Sequence, residues 1–278
     1  MRADGTRVRS PVTTTILVTS IVFLFAPLAV VVLFSFNDGG SVTLPFRGFT
    51  LGWYREILSS TEFRSAVTNS AIVATVVALA TLVLGTLAAY GITRARSRLR
   101  PFVAVLLFLP LTLPGLFLGL SLLVVFSGTE ISLSLTTVAV AHLVYVLPYY
   151  LLISVAALQR LDPALEEVGA DLGGNAWLVF RRVTLPQIWP ILLSAALLAF
   201  LLSFDEFIIT FFVIGPQSTL PLFIFSSLRR TVDPSINAIS SSLLFVTIVV
   251  FAVSFALTVR SARSGRISVE PDVVGVDA

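Results

Sequence analysis

Residues 70–92 read SAIVATVVALATLVLGTLAAYGI, and TRARSRLR follows at 93–100. The first run carries no charged residue, and as a helix it would cover the roughly 30 Å of a bilayer's hydrocarbon core. The second run packs Arg94, Arg96, Arg98 and Arg100 into a few residues before apolar sequence resumes at Phe102. An uncharged span ending in a cluster of cations is the pattern of a membrane crossing anchored on one side.

The remainder of the chain follows this pattern. Hydrophobic residues make up 56% and charged residues 12% of 278 residues, with a mean hydropathy of +1.00. Soluble domains carry roughly a quarter charged residues, so lipid is the solvent for most of this chain. Five further stretches have spanning length: Val12 to Phe36, Phe102 to Phe126, Leu133 to Ala157, Ile188 to Ile214 and Ile236 to Val259. The first exceeds the 7–15 apolar residues of a cleaved signal's core, so it reads as a retained membrane helix despite Arg2, Arg7 and Arg9 before it. The expected fold is an all-α membrane bundle of six helices spanning 12–260, between short tails at 1–11 and 261–278.

Six crossings place thirteen arginines on one side: those of the N-terminal tail, the 94–100 turn, Arg160, Arg181 and Arg182, and Arg260, Arg263 and Arg266. Arg47, Arg55, Arg64, Arg229 and Arg230 fall on the other. The bias predicts that both termini are cytoplasmic in the inner membrane. It also accounts for the net charge of +3 without nucleic acid as a partner.

Several chemistries are poorly supplied. There is no cysteine, hence no disulfide or thiolate site, and a single histidine, His142. No lysine occurs anywhere, and a phosphate-binding loop of the form G-x-x-x-x-G-K-[ST] requires one. The chain is therefore not expected to be an enzyme, to hold a metal or to need a cofactor. If ATP drives it, another subunit hydrolyses the ATP.

Two polar segments are long. The outer one, Asn37 to Asn69, carries Trp53 and Tyr54 beside Arg55 and Glu56, a composition that suits either an amphipathic interfacial helix or a capping turn. The inner one contains LDPALEEVGADLGG at 161–174. Asp162 is placed as an N-cap, with Pro163 at the first helical position. Leu165, Val168 and Leu172 recur at helical spacing. Glu166 and Glu167 lie where the helix dipole favours negative charge, and Gly173 and Gly174 stop the helix. A second short helix is expected over Ala176 to Val183. A rigid helix with an exposed face can be gripped by a partner's groove; the alternative is a helix lying passively on the membrane.

Glu167-Val168-Gly169, three residues, Gly173, nine residues and Val183-Thr184-Leu185-Pro186 resemble the cytoplasmic loop motif of binding-protein-dependent ABC importer permeases, E-A-A, three residues, G, nine residues, I-x-L-P. Val168, Gly169 and Val183 depart from the family's Ala, Ala and Ile, and Gly169 costs about 1 kcal/mol against alanine within a helix. Ser203-Phe204-Asp205-Glu206, Gly215-Pro216, Leu220-Pro221-Leu222 and Asp233-Pro234-Ser235-Ile236-Asn237-Ala238 resemble the C-terminal third of spermidine/putrescine importer permeases, the second of their two permease subunits. Permeases for opines, phosphonates and ferric iron share parts of this pattern. The resemblance implies a type I importer bundle that pairs with a second homologous permease, two ATPase subunits and an extracytoplasmic solute-binding protein. It assigns coupling to the ATPase to the loop residues Glu166, Glu167, Val168, Asp171, Leu172, Gly173, Leu185 and Pro186.

Asp205 and Glu206 are expected inside the fifth span, where a charge costs roughly 2.5–3.5 kcal/mol at the bilayer centre. Neighbours on a helix point about 100° apart, so the two would face different places. With Phe204 they are candidates for the substrate path, Asp205 facing it and attracting cationic amines; alternatively they face water or the partner permease near the outer end. His142 reads as a proton relay or as a packing residue with satisfied ring nitrogens. Pro110, Pro114 and Pro148 interrupt spans, either as broken helices or as tolerated prolines. Gly115 and Gly119 give a small-xxx-small spacing suited to a close helix contact. One rival class is a secondary transporter driven by an ion gradient; it would need no partner-binding loop helix and would usually carry internal repeats, of which no convincing one is seen here. The other is an intramembrane enzyme, whose only candidate catalytic pair, Asp205 and Glu206, would converge poorly as neighbours on one helix.

Overall fold

The computed structural model describes residues 11–39, 46–95, 97–230 and 235–264, with 230 and 257–264 described by backbone alone. The tails 1–10 and 265–278, with Arg2, Arg7, Arg9 and Arg266, lie outside the described residues, as do Arg96, Asp233 and Pro234. The described elements are all helical: α1 (Pro11–Phe34), α2 (Gly52–Ser59), α3 (Thr61–Ala80), α4 (Thr86–Arg94), α5 (Arg100–Phe108), α6 (Gly115–Gly128), α7 (Leu135–Gln159), α8 (Pro163–Asp171), α9 (Ala176–Val179), α10 (Leu185–Phe204), α11 (Ile208–Val213), α12 (Leu220–Arg230) and α13 (Ser235–Ser264). Five continuous helical runs are long and apolar enough to cross a membrane: Pro11–Phe34, Thr61–Arg94, Leu135–Gln159, Ala176–Phe204 and Ser235–Ala256.

The expected third span is a bent pair. Arg100–Thr112 and Gly115–Gly128 meet at 110°. Pro110 lies in a 3₁₀ turn (Leu109–Thr112), and Pro114 caps α6 in an extended conformation. Proline lacks an N–H and disfavours the α region for the residue before it, and Leu113, before Pro114, is extended at φ −94° and ψ 127°, so the helix stops between the two prolines, four positions apart. Pro148, in contrast, sits inside α7 without ending it. The second span starts at Thr61 rather than Ser70 and carries a π turn, Thr81–Gly85, between α3 and α4. The expected short helix over 176–183 is instead the start of α10: α9, a second π turn (Phe180–Thr184) and α10 form one run.

The chain divides into two compact units, residues 1–63 with 224–245 and residues 64–223 with 246–278. In the first, α1 has no buried residue. The segment after it is knotted around Asn37, whose Oδ1 accepts from Arg47 N (2.9 Å) and Gly39 N (3.3 Å) and whose carbonyl accepts from Trp53 Nε1 (2.9 Å). Tyr54 hydrogen-bonds Ser35 Oγ at 2.7 Å. Trp53 and Tyr54 thus belong to an amphipathic helix, α2, whose Ile57 is buried.

In the second unit α7 is central. Its first turn is closed by a reciprocal cap: Ser134 Oγ accepts from Thr136 N, and Thr137 Oγ1 accepts from Ser134 N. One end packs Val138, Ala141 and Val146 against Val73, Val77, Leu118, Ile209 and Val213. The other packs Tyr150, Leu151 and Leu158 against Ala89, Ile188, Leu192 and Ala195. Between helices in lipid there is little hydrophobic gain, so close approach through small residues carries the packing. At Gly119 an added Cβ would come within 3.1 Å of Ile209 Cα, and at Gly85 within 2.5 Å of the Tyr150 ring. Tyr150 then closes a 2.7 Å hydrogen bond with Thr86 Oγ1.

Candidate functional site

Two places carry chemistry, both in the second unit. The first is the segment from 162 to 186. Asp162 Oδ1 accepts from Ala164 N at 3.0 Å, with Pro163 next in line, so α8 starts where cap and proline require. Gly173, at φ +86°, ends it in the left-handed conformation that glycine adopts without strain. Asn175 Oδ1 caps α9 by accepting from Leu178 N at 2.8 Å.

Gly169 has a steric reason. A Cβ there would lie 3.3 Å from Val179 Cγ2 and 3.5 Å from Val183 Cγ2. An alanine there would need Val179 to give by a few tenths of an ångström, so the glycine eases the approach of α8 to the run that becomes α10.

α8 presents two faces. Leu165, Val168 and Leu172 point outward with Glu167 and Asp171, and Leu172 is 84% exposed. Trp177, 61% exposed, and Leu178 are further exposed apolar side chains in this segment. Glu166 faces inward: Oε2 lies 2.8 Å from Arg94 Nε at the end of α4, and Oε1 accepts from Thr184 Oγ1 at 2.7 Å. Arg94 Nη2 also donates to Leu158 O at 3.1 Å. Glu166 is thus a tie to the bundle, where the sequence placed it on the docking face. Leu185 is half-buried and Pro186 exposed inside the continuous run.

The second place is a break in the fifth span. α10 stops at Phe204 and α11 starts at Ile208, so Asp205 and Glu206 stand in a gap between helices, not inside one. The 100° rule does not apply there, and both carboxylates line one open cleft of about 490 Å³ with Tyr145, Leu201, Phe207 and Thr247. Glu206 is partly committed to its own backbone, since both carboxylate oxygens lie 3.1 Å from Ile209 N, which donates. Asp205 is exposed, and its carboxylate has no hydrogen-bond or ion-pair partner among the described residues. Phe204 is not in the cleft: it is buried and stacked on Phe200, and Phe207 takes that place.

His142, 1% exposed, holds the break from behind. Nδ1 is 2.8 Å from Ser203 Oγ before the gap, and Nε2 is 2.8 Å from Thr210 Oγ1 after it. Both ring nitrogens are satisfied, the arrangement of a structural histidine.

Residues 81–266 match the family model described as the binding-protein-dependent transport system inner membrane component. The chain belongs to this family. The permease is 36% identical, over 92% of its length and 94% of the relative's, to the putrescine transport system permease protein PotI of Escherichia coli strain K12. It is 29% identical to the spermidine/putrescine transport system permease protein PotC of the same strain, covering 88% of this chain and 92% of that one. In fold it matches a chain of a bacterial ABC transporter that imports the acidic polysaccharide alginate, with TM-score 0.70 at 16% identity, over 91% of this chain and 95% of that one. A chain of the inward-facing MetNI methionine ABC transporter matches with TM-score 0.60 at 16% identity, over 73% and 95%. The permease is therefore a multi-pass inner-membrane transport subunit with the type I importer fold.

Proposed function

We propose that this permease is one of two homologous membrane subunits of an ATP-driven importer for a polyamine such as putrescine or spermidine. The observation that carries the substrate class is the cleft at the break of the fifth span. Two carboxylates face one space there, and the cleft's lining holds no arginine. A diamine brings two positive charges to a place within the fifth span where negative charge is otherwise costly. The likeness to PotI and PotC over nearly the whole chain supports the same class.

The same reading includes the remaining parts of such an importer. Two ATPase subunits hydrolyse ATP, and each receives a loop helix in a surface cleft. Here the exposed side chains of Leu165, Val168, Leu172 and Trp177, with Glu167 and Asp171, suit that role. A loaded solute-binding protein docks on the outer side, ATP binding closes the ATPases, and the bundle turns outward to receive the solute. The arginine bias supports both termini lying in the cytoplasm.

Uptake by the reconstituted importer tests the substrate class. Asp205→Asn is expected to lower uptake of putrescine at least several-fold while the complex still assembles. Unchanged uptake kinetics in that variant would remove Asp205 from the path.

A further inference from the structure

The second span, Thr61–Arg94, is held at its Arg94 end and again within α3 by groups the proposed cycle has to move. At one end Arg94 pairs with Glu166 of α8 at 2.8 Å, and Glu166 also accepts from Thr184 of the second π turn at 2.7 Å. One helical turn earlier on α4, Tyr90 packs on Phe180 of that π turn with ring centroids 4.8 Å apart. Within α3, Asn69 Nδ2 donates to Ser218 O at 2.9 Å, and Ser70 Oγ accepts from Leu220 N at 2.8 Å. Residues 218–220 follow α11, the short helix just past the break that carries Asp205 and Glu206.

By chain connection, α8 reaches only α7 and α10. The side-chain contacts add a third route, since one continuous helical run, with a π turn at Thr81–Gly85, touches α8 through Arg94 and the segment after the cleft through Asn69 and Ser70. The Arg94 and Glu166 side chains are 21% and 16% exposed, so solvent screens their attraction less than that of a surface pair. Glu166 is also separate from Glu167, the residue that matches the family motif and points outward.

We propose that the Arg94–Glu166 ion pair couples the docking helix to the second span, which carries displacement of α8 to the segment after the cleft. Arg94 and Glu166 are positioning residues in this role: they touch neither nucleotide nor solute. The inference rests on the proposed reading of the chain as an ATP-driven importer permease.

The test is a double-mutant cycle in the full importer, reconstituted with its partner permease, ATPases and binding protein in liposomes. Glu166→Gln, Arg94→Gln and the double variant are compared by solute imported per ATP hydrolysed. Each single variant is expected to lower this ratio at least threefold, and the double variant no further than the worse single, because one contact is lost in each case. A ratio that stays at the wild-type value, or single losses that multiply in the double variant, would overturn the proposal. If Glu166→Gln fails to assemble, Arg94→Lys and Arg94→Gln are compared instead. The lysine keeps the charge and is expected to retain more of the ratio, and equal ratios would overturn the link. Failure of the underlying reading looks different: the wild-type complex would then show no ATP-dependent uptake at all.

Discussion

Nε2 of His142 lies 2.8 Å from Oγ1 of Thr210, on the far side of a helix break from the Ser203 hydroxyl that Nδ1 engages at the same distance. Thr210 Oγ1 also lies 3.0 Å from the Glu206 carbonyl, to which it donates. One imidazole thus fastens the ends of α10 and α11 and, through Thr210, the residue between them. His142→Phe keeps the ring volume and removes both contacts. At about 0.5–1.5 kcal/mol for each hydrogen bond, it is expected to cost about 1–3 kcal/mol. Thermal unfolding of the purified permease complex measures this, and a midpoint equal to wild type would show that the imidazole contacts are dispensable.

Gly215 sits at φ +72°, and a Cβ there would stand 2.5 Å from the Leu133 carbonyl oxygen. Gly215→Ala meets a left-handed conformation costing roughly 1–2 kcal/mol and a backbone that must move. Gly91, in α4, has open space around its would-be Cβ, so Gly91→Ala is expected to be neutral or stabilising by up to about 1 kcal/mol. The two alanines should shift the unfolding midpoint in different ways, the first clearly downward. Equal shifts would contradict the packing described at 133 and 215.

Gly85 and Tyr150 make a paired prediction. Tyr150→Phe removes the hydrogen bond to Thr86 and keeps the ring, at about 1 kcal/mol. Gly85→Ala pushes a methyl against that ring, with an overpacking cost of about 1–3 kcal/mol in addition to any loss of the bond. Gly85→Ala is therefore expected to be the more damaging in a detergent melt. The reverse order would mean the ring has room to give.

Leu172 is exposed enough that its replacement should change folding stability by less than about 0.5 kcal/mol. Leu172→Asp is expected to leave the unfolding midpoint intact and to abolish co-purification of the ATPase subunits. Normal recovery of those subunits would exclude the outward face of α8 as their docking surface.

The sequence displays the membrane bundle and the inner loop clearly, because both are written in long-range composition and in caps. Uncharged runs of bilayer length, arginine clusters, Asp162-Pro163 and the 173–174 glycines each act locally, so they can be read without a partner. The two breaks differ. Pro110 and Pro114 signal the first through their missing N–H groups. The second, at 205–207, contains no proline, and its only trace is a pair of adjacent carboxylates in apolar surroundings. Reading them as helical put them on different faces, whereas the interrupted backbone turns both to one cleft. The inward role of Glu166 was not legible because its partners, Arg94 and Thr184, are distant or unremarkable in sequence. Arg94 reads equally well as one more topological anchor. The place of Phe207, instead of Phe204, beside the carboxylates likewise depends on where α10 stops.

The π turns at Thr81–Gly85 and Phe180–Thr184 have a bearing on how this chain should be compared with others. A π turn absorbs one residue more than the surrounding α-helix requires. A helical wheel wound evenly through 61–94 therefore runs ahead by about 100° beyond residue 85. It would draw Arg94 on the wrong side of its helix, away from the carboxylate it meets. The same offset would misplace Ile188 and Leu192 beyond 184. A homologue lacking one residue within either pentapeptide can keep every downstream contact, so a single-residue gap there marks an unwound bulge and not a lost partner.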